Sequence, residues 1–243
     1  MTNQNTGILG VIGGLGPLAS AHFMELVIRM TRAERDQDHL DMIVYSAPSI
    51  PDRTAYILDP GNPSPLPAMI RLGQRLREQN ATCVAIPCFT AHYFYDELCA
   101  AIGLPIVNAL RETAAYLDRA GIKRAGIMAT TGTIQSKLFH RELLARGIQP
   151  IEPTEQSQQA VMSLIYDDIK QNRPPDMARF RRVSAELRRM GAEVVILGCT
   201  ELSLIKRDNT IGPGFIDAME VLAAASVRMC GGALSELGKN LIT

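Results

Sequence analysis

The chain contains no tryptophan, few aromatic residues and no surplus of charge, its 25 acidic residues balancing 25 basic ones. That balance removes the cationic footprint of a phosphate-backbone binder, so no nucleic-acid partner is expected. No apolar run approaches the roughly 18 residues of a membrane span, so no membrane partner is expected. The opening Met1-Thr2-Asn3-Gln4-Asn5-Thr6 lacks the basic and apolar regions of a signal peptide, which reads as cytoplasmic. No two cysteines stand at Cys-x-x-Cys spacing and the 4 histidines are scattered, so no metal is expected. Cys88 and His92 are one helical turn apart but have no companion ligands. The 5 cysteines are an odd number in a chain too long to need disulfide staples, and in a reducing compartment they read as thiols.

What the chain does have is ordinary globular content, 47% hydrophobic and 21% charged over 243 residues. That suits one large domain or two of about 120 residues each. Two stretches answer each other: Val84-Ala85-Ile86-Pro87-Cys88-Phe89-Thr90-Ala91-His92 and Val194-Val195-Ile196-Leu197-Gly198-Cys199-Thr200-Glu201. In each, a short apolar run reads as a buried strand of a parallel sheet, followed by Cys and then by Thr. Each cysteine therefore falls where a strand's carboxyl end meets the next helix, the place where open α/β sheets bind ligands. The two stand nearly half a chain apart, and almost the same interval separates Gly10 from Gly126. The agreement points to a duplicated α/β unit with one thiol at the same point of each half.

In chain order, residues 7–12 read as a first strand, followed by the turn Gly13-Gly14-Leu15-Gly16 and by Pro17 opening a helix towards Arg32. Gly14-x-Gly16-x-x-Ala19 fits a dinucleotide fingerprint, but the next strand, 42–45, ends in Ser46-Ala47 with no acid to hold a ribose. A close backbone approach to a small anion at the helix N-terminus is the preferred reading of Gly14. Residues 48–67, rich in proline, read as a long irregular loop carrying Arg53, whose planar guanidinium suits bidentate carboxylate recognition. Helices are expected at 68–80 and 92–101, with the Cys88 strand at 81–86 and a further short strand at 103–108. In the second half, Thr130-Thr131-Gly132-Thr133 opens a helix expected over 134–146, where hydroxyls and free N–H groups suit a carboxylate. Helices at 155–170 and 175–190 follow, then the Cys199 strand, the Gly212-Pro213-Gly214 break and a last helix over 215–229.

Five motifs in this order resemble the aspartate/glutamate racemase superfamily across nearly the whole chain. They are Gly13-Gly14-Leu15-Gly16-Pro17, Pro48-Ser49-Ile50-Pro51-Asp52-Arg53-Thr54, Pro87-Cys88-x-Thr90-Ala91-His92, Ala129-Thr130-Thr131-Gly132-Thr133 and Leu197-Gly198-Cys199-Thr200-Glu201. The resemblance implies an α/β fold of two pseudo-symmetric Rossmann-like lobes, each a mostly parallel sheet flanked by helices, with the active site in the cleft between them. Residues 1–108 plus 213–243 would form the first lobe and 109–212 the second. It implies amino-acid racemisation without a cofactor, with Cys88 and Cys199 catalytic, and a homodimer whose substrate is a small amino acid. Ile165-Tyr166-Asp167-Asp168-Ile169-Lys170 matches a family motif whose lysine is associated with substrate binding; by itself Lys170 would also complement a helix dipole. The expected substrate-binding residues are thus Gly14, Arg53, Phe89, Thr90, Thr130, Thr131, Thr133, Lys170, Thr200 and Glu201.

The chemistry explains why two thiols are wanted. Inverting an α-carbon removes a proton from one face and returns one to the other, and a single base would mostly return it where it came from. A thiol of ordinary pKa about 8.5 supplies either protonation state near neutrality after modest perturbation. Thr90, His92, Thr200 and Glu201 stand beside the cysteines and could tune them or hold the amino group. A pair of thiols disfavours the single-cysteine decarboxylase chemistry of the superfamily. Arg53 and Lys170 point to aspartate, glutamate or a similar acid such as cysteate. Phe89 departs from the family, which usually has Asn there, and opens the alternative of a less polar substrate. An idle homologue that binds an acidic metabolite is the reading from another class.

Overall fold

In this computed structural model, residues 6–243 are described; residues 1–5, most of the stretch inspected for a signal peptide, lie outside them. The first half runs β1 (Leu9–Gly13), α1 (Pro17–Met30), β2 (Met42–Ser46), α2 (Arg53–Leu58), α3 (Leu66–Glu78), β3 (Cys83–Ala85), a 3-10 stretch (Phe89–Phe94) and α4 (Tyr95–Ile102). The second runs α5 (Ala109–Arg119), β4 (Arg124–Met128), α6 (Thr131–Gln135), α7 (Leu138–Leu144), β5 (Gln149–Ile151), α8 (Glu155–Ser163), α9 (Met177–Arg189), β6 (Val194–Leu197), α10 (Thr200–Asp208), β7 (Phe215–Asp217) and α11 (Ala218–Met229). The strands form two sheets, ordered β2-β1-β3 and β5-β4-β6-β7, and every pairing between them is parallel. β1, β3 and β6 are buried on both faces, as continuous apolar runs in a parallel sheet must be. The strand leading to Cys88 pairs with β1 as the strand leading to Cys199 pairs with β4, so the two halves repeat one plan. The two-lobed α/β architecture expected from the sequence is the one observed.

The lobes share a core. Leu9, Val11 and Ala85 of the first sheet belong to the same buried cluster as Ala125, Ile127 and Ile196 of the second, with Leu222, Ala223 and Val227 of α11 among them. Outer clusters cover the far faces, built around Met69, Phe94 and Leu98 on one side and Phe180, Leu187 and Phe215 on the other. α11 packs against α1, α5 and β3.

Several boundaries differ from the sequence reading, each for a local reason. The proline-rich loop at 48–67 contains α2, because the Asp52 carboxylate accepts the Ala55 N–H at 2.8 Å and caps a helix there. The helix after Cys88 starts as a 3-10 stretch and becomes α-helical at Tyr95. The strand expected at 103–108 is a single bridge of Ile106 to Val84, after which Asn108 caps α5. The helix expected over 134–146 starts earlier, at Thr131, and breaks at Lys137, whose φ of 55° is left-handed. The 155–170 helix widens to a π-helical turn over Leu164–Asp168, then tightens over Ile169–Gln171. The last helix begins at Ala218: Phe215–Asp217 is a strand because the Gly214 carbonyl accepts from Val195 N at 3.0 Å and docks this segment on β6. Residues 215–217 thus stay with the second sheet, and α11 starts after them.

Asp217 caps α11. Its Oδ1 accepts from the Met219 N–H at 2.9 Å and from the Ser203 hydroxyl at 2.6 Å, while its buried Oδ2 has no partner. Burial first, then the Glu220 charge, pushes this carboxyl up to about 7, against the pull of Ser203 and Lys206. An unfolded Asp titrates near 3.9. The folded state therefore holds an extra proton between those values, and the stability this gives is lost as pH rises through about 7. Asn keeps the Oδ1 acceptor without the titration. Thermal melts of Asp217→Asn between pH 5 and 8 are expected to fall less steeply with pH than those of the parent; equal slopes would count against this assignment.

Candidate active site

The carboxyl ends of β3 and β6 carry Cys88 and Cys199, each in an extended conformation just ahead of a helical segment. Both are buried, and both line one small cavity of about 10 Å³ together with Leu15, Asp52, Arg53, Thr54, Phe89, Thr90, Thr130, Tyr166, Lys170, Thr200 and Glu201. That volume holds about one water molecule. Beyond it opens a vestibule of about 550 Å³ between the α1 end of the first lobe and Ile169–Asn172 of the second, with Asp52, Arg53, Lys170 and Glu201 on the boundary of both spaces.

Arg53 is 7% exposed and its charge is already engaged. Its Nη2 donates to the Leu15 carbonyl at 2.7 Å, and its Nη1 donates to the carbonyls of Pro51 at 2.9 Å and Ile50 at 3.3 Å. Nε has no partner. Burial works against the guanidinium charge, but Cys88 and then Asp52 hold it above the usual arginine value. The side chain therefore joins the glycine turn to the 48–52 loop and sets a fixed cation beside Cys88.

Cys199 has the opposite surroundings. Its Sγ donates to Glu201 Oε2 at 2.9 Å, and the Thr200 hydroxyl donates to the same oxygen at 3.1 Å. Burial, then the Glu201 charge and hydrogen bond, push this thiol well up, with Lys170 and the Glu201 backbone N–H opposing. Gly16 lies against Glu201, since a Cβ there would stand 3.0 Å from Oε1.

The cleft is closed on the vestibule side by a contact between lobes. Tyr166 Oη donates to both Asp52 oxygens, at 3.2 and 3.1 Å, and Lys170 Nζ reaches Asp52 Oδ2 at 3.4 Å. The ammonium also lies 3.7 Å from the centre of the Tyr166 ring. Burial disfavours the Lys170 charge, yet Glu201, Tyr166, Cys199 and Asp52 raise it above the ordinary lysine value. At the other end, the hydroxyls of Thr90, Thr130 and Thr133 form a triangle with 3.0 Å sides. Phe89 is fully buried and meets Phe139 edge-on at 6.3 Å, so one wall of the cleft is apolar.

Most residues singled out from the sequence thus come together, but three lie off the cavity. The Gly14 N–H is taken by Ser20 Oγ at 2.8 Å, and the residue faces the vestibule. Its φ of 86° and the Ala47 backbone N, 2.2 Å from where a Cβ would sit, account for glycine there. Thr131 faces an outer groove, its N–H on Met162 Sδ and its hydroxyl accepting from Gln158. Thr133 stands behind Thr90 and Thr130. His92 touches the backbone of Cys88 and not its thiol: Nε2 accepts the Ala109 N–H at 3.2 Å, which leaves Nδ1 to donate to the Cys88 carbonyl at 3.2 Å. Burial holds this imidazole below its ordinary value, in keeping with a neutral ring that fixes the Cys88 backbone. Asp52 and Tyr166 were not singled out as site residues. The four-residue spacing of Tyr166 and Lys170, one helical face, was the available signal.

The sequence pattern of the Asp/Glu/hydantoin racemase family matches residues 12–226. The chain belongs to that family. It is similar to the broad specificity amino-acid racemase RacX of Bacillus subtilis, 26% identical over 224 residues that cover 90% of this chain and 96% of that protein. Its fold is similar to that of the Picrophilus torridus aspartate racemase, with a TM-score of 0.82 and 29% identity over 96% of this chain and 98% of that one. Glutamate racemase of Francisella tularensis, at 16% identity and a TM-score of 0.61 over 90% of this chain and 78% of that one, shares the fold. Family and relatives together place the chain among the amino-acid racemases. Among the described residues no cluster of three or more His, Cys, Asp or Glu could hold a metal ion. None of their helices is long and apolar enough to cross a membrane.

The Cys199 environment yields a direct test. Glu201→Gln removes the carboxylate charge that pushes this thiol up, keeps an oxygen able to accept from Sγ, and leaves burial in place. The pH profile of Cys199 alkylation by iodoacetamide, followed by mass spectrometry in a Cys88→Ala background, is expected to shift to lower pH. An unmoved profile would show that burial and the retained hydrogen bond set it.

Proposed function

We propose that the protein racemises an acidic amino acid, aspartate or glutamate first among them, without a cofactor and by a two-base mechanism that uses Cys88 and Cys199. One observation carries the reading: two buried thiols from equivalent strand ends of the two lobes line one cavity. Cys88 stands beside the Arg53 cation and Cys199 is bonded to the Glu201 carboxylate, and one of the two acts as thiolate while the other acts as thiol. The thiolate removes the α-proton from one face of the substrate, and the electron pair passes into the α-carboxylate as an enediolate. The opposite thiol then returns a proton to the other face, which leaves the two sulfurs with exchanged roles. Hydroxyls of Thr90 and Thr130 and the N-terminal end of the α10 dipole suit the growing charge on that carboxylate. Glu201 and Asp52 suit the substrate ammonium. Lys170, once released from Asp52, is the cation available to a side-chain carboxylate. A cavity of about 10 Å³ is too small for an amino acid, so binding widens it, and the Asp52–Tyr166–Lys170 contact is the one that would part.

Phe89 favours a second reading, a less polar side chain. Its ring supplies an apolar wall, Arg53 is committed to three carbonyls, and the charges of Arg53 and Lys170 are matched by those of Asp52 and Glu201. A neutral zwitterion suits such a balance better than an amino acid of net charge −1 does.

Proton NMR of the α-position in D₂O, with L- and D-aspartate, glutamate, cysteate and a set of apolar amino acids, separates the readings. Exchange with inversion of an acid supports the first, and exchange confined to apolar amino acids supports the second. Cys88→Ala and Cys199→Ala should each lower racemisation by roughly 10²–10⁴-fold, the span of general acid–base catalysis. Exchange with none of them by a folded protein would overturn both. Phe89→Asn is expected to raise kcat/KM for aspartate relative to an apolar amino acid; an unchanged ratio would remove Phe89 as the selecting residue.

A further inference from the structure

Two thiols outside the cleft stand in contact. Cys83 opens β3, at the end of the strand opposite Cys88, and Cys230 follows the last turn of α11. Their sulfurs are 2.9 Å apart, within about 1 Å of the ~2.05 Å disulfide bond. Both are almost wholly buried, and both are free thiols. The main chain holds them in place: the Gly7 N–H donates to the Cys230 carbonyl at 2.8 Å, and the Thr82 N–H donates to Ile8 at 2.8 Å. The neighbouring Thr82 and Gly231 are exposed, so one layer separates the sulfurs from solvent.

We propose that Cys83 and Cys230 form a redox-active dithiol that closes to a disulfide on reaction with a low-molecular-weight disulfide of the glutathione type. Either sulfur can be the donor of the contact between them, so either one, once ionised, can be the attacking group. That thiolate displaces one small thiolate and forms a mixed disulfide. The other cysteine of the pair then gives up its proton and displaces the second small thiolate. The two protein thiols are oxidised by two electrons, the small disulfide is reduced to two small thiols, and the two protein protons end on them. A reducing compartment keeps the pair open, and a shift of its thiol poise closes it, the usual setting of a cytosolic protein disulfide. The bond would staple α11, which starts on the second sheet, to the floor of the first. It would close a loop of 147 residues, and long loops lose most entropy when cross-linked in the unfolded chain. The site is independent of the racemase reading, because neither sulfur belongs to the cleft.

The experiment is oxidation of the native protein with oxidised glutathione, alkylation of the remaining thiols in denaturant, and peptide mapping without reduction. The expected result is a mass loss of about 2 Da with one linked peptide pair that joins Cys83 to Cys230, reversed by dithiothreitol. The same pair should form in the Cys88→Ala/Cys199→Ala protein and be absent from Cys83→Ala and Cys230→Ala. Oxidation should raise Tm by roughly 5 °C or more. Full alkylation of Cys83 and Cys230 while Cys99 carries glutathione would overturn the proposal. So would a Cys83–Cys230 link that forms only when oxidation is carried out in denaturant. Mapping is done on the unaltered chain, so the outcome does not depend on whether a variant folds.

Discussion

A buried guanidinium that spends two of its nitrogens on three carbonyls is the constraint from which the rest of the cleft takes its shape. Arg53 ties Leu15 of the first βα turn to Ile50 and Pro51 of the next. Without those bonds, buried carbonyls would be left unsatisfied, at about 1–3 kcal/mol each. The same side chain fixes the sign of the field at Cys88. Lysine, a single point charge on a flexible stem, could not hold three carbonyls in this geometry. Structural support and electrostatic setting are thus functions of one residue.

The asymmetry between the thiols follows from placing one pattern twice and then surrounding it differently. Parallel sheets bring both cysteines to carboxyl strand ends, where loops, not strands, decide the chemistry. The first lobe supplies an arginine from α2. The second supplies a glutamate two residues after its cysteine. Lys170 faces both Glu201 and Asp52, and so couples the state of the second thiol to the contact that closes the mouth. Departure of Lys170 from Asp52 would alter access and local charge together.

The two-lobed plan was legible because buried parallel strands declare themselves as short apolar runs and because the runs recur at one spacing. The cysteines were legible for the same reason. What escaped was set by groups distant in sequence. The fate of the Arg53 nitrogens depends on Leu15, and the place of Thr131 on Met162 and Gln158. The Asp52–Tyr166 contact joins two lobes. Phe215–Asp217 is too short and too apolar to betray its strand character, and only the β6 edge makes it one. The cap at Asp52 was readable in principle, but the prolines around it masked a helix of one and a half turns.

The π-helical turn over Leu164–Asp168 has an implication for how this chain can change. Such a turn is an α-helix carrying one residue too many, so its aromatic ring and lysine owe their direction to the count of residues before them. Loss of a single residue there would restore the regular helix and leave what lies beyond it nearly in place, whereas loss of one from the regular turns of α8 would swing it by about 100° around the axis. Lys170 would then leave the cleft with its chemistry intact and its position gone. Point replacements in α8 can be absorbed one side chain at a time, whereas its length is fixed by the far lobe.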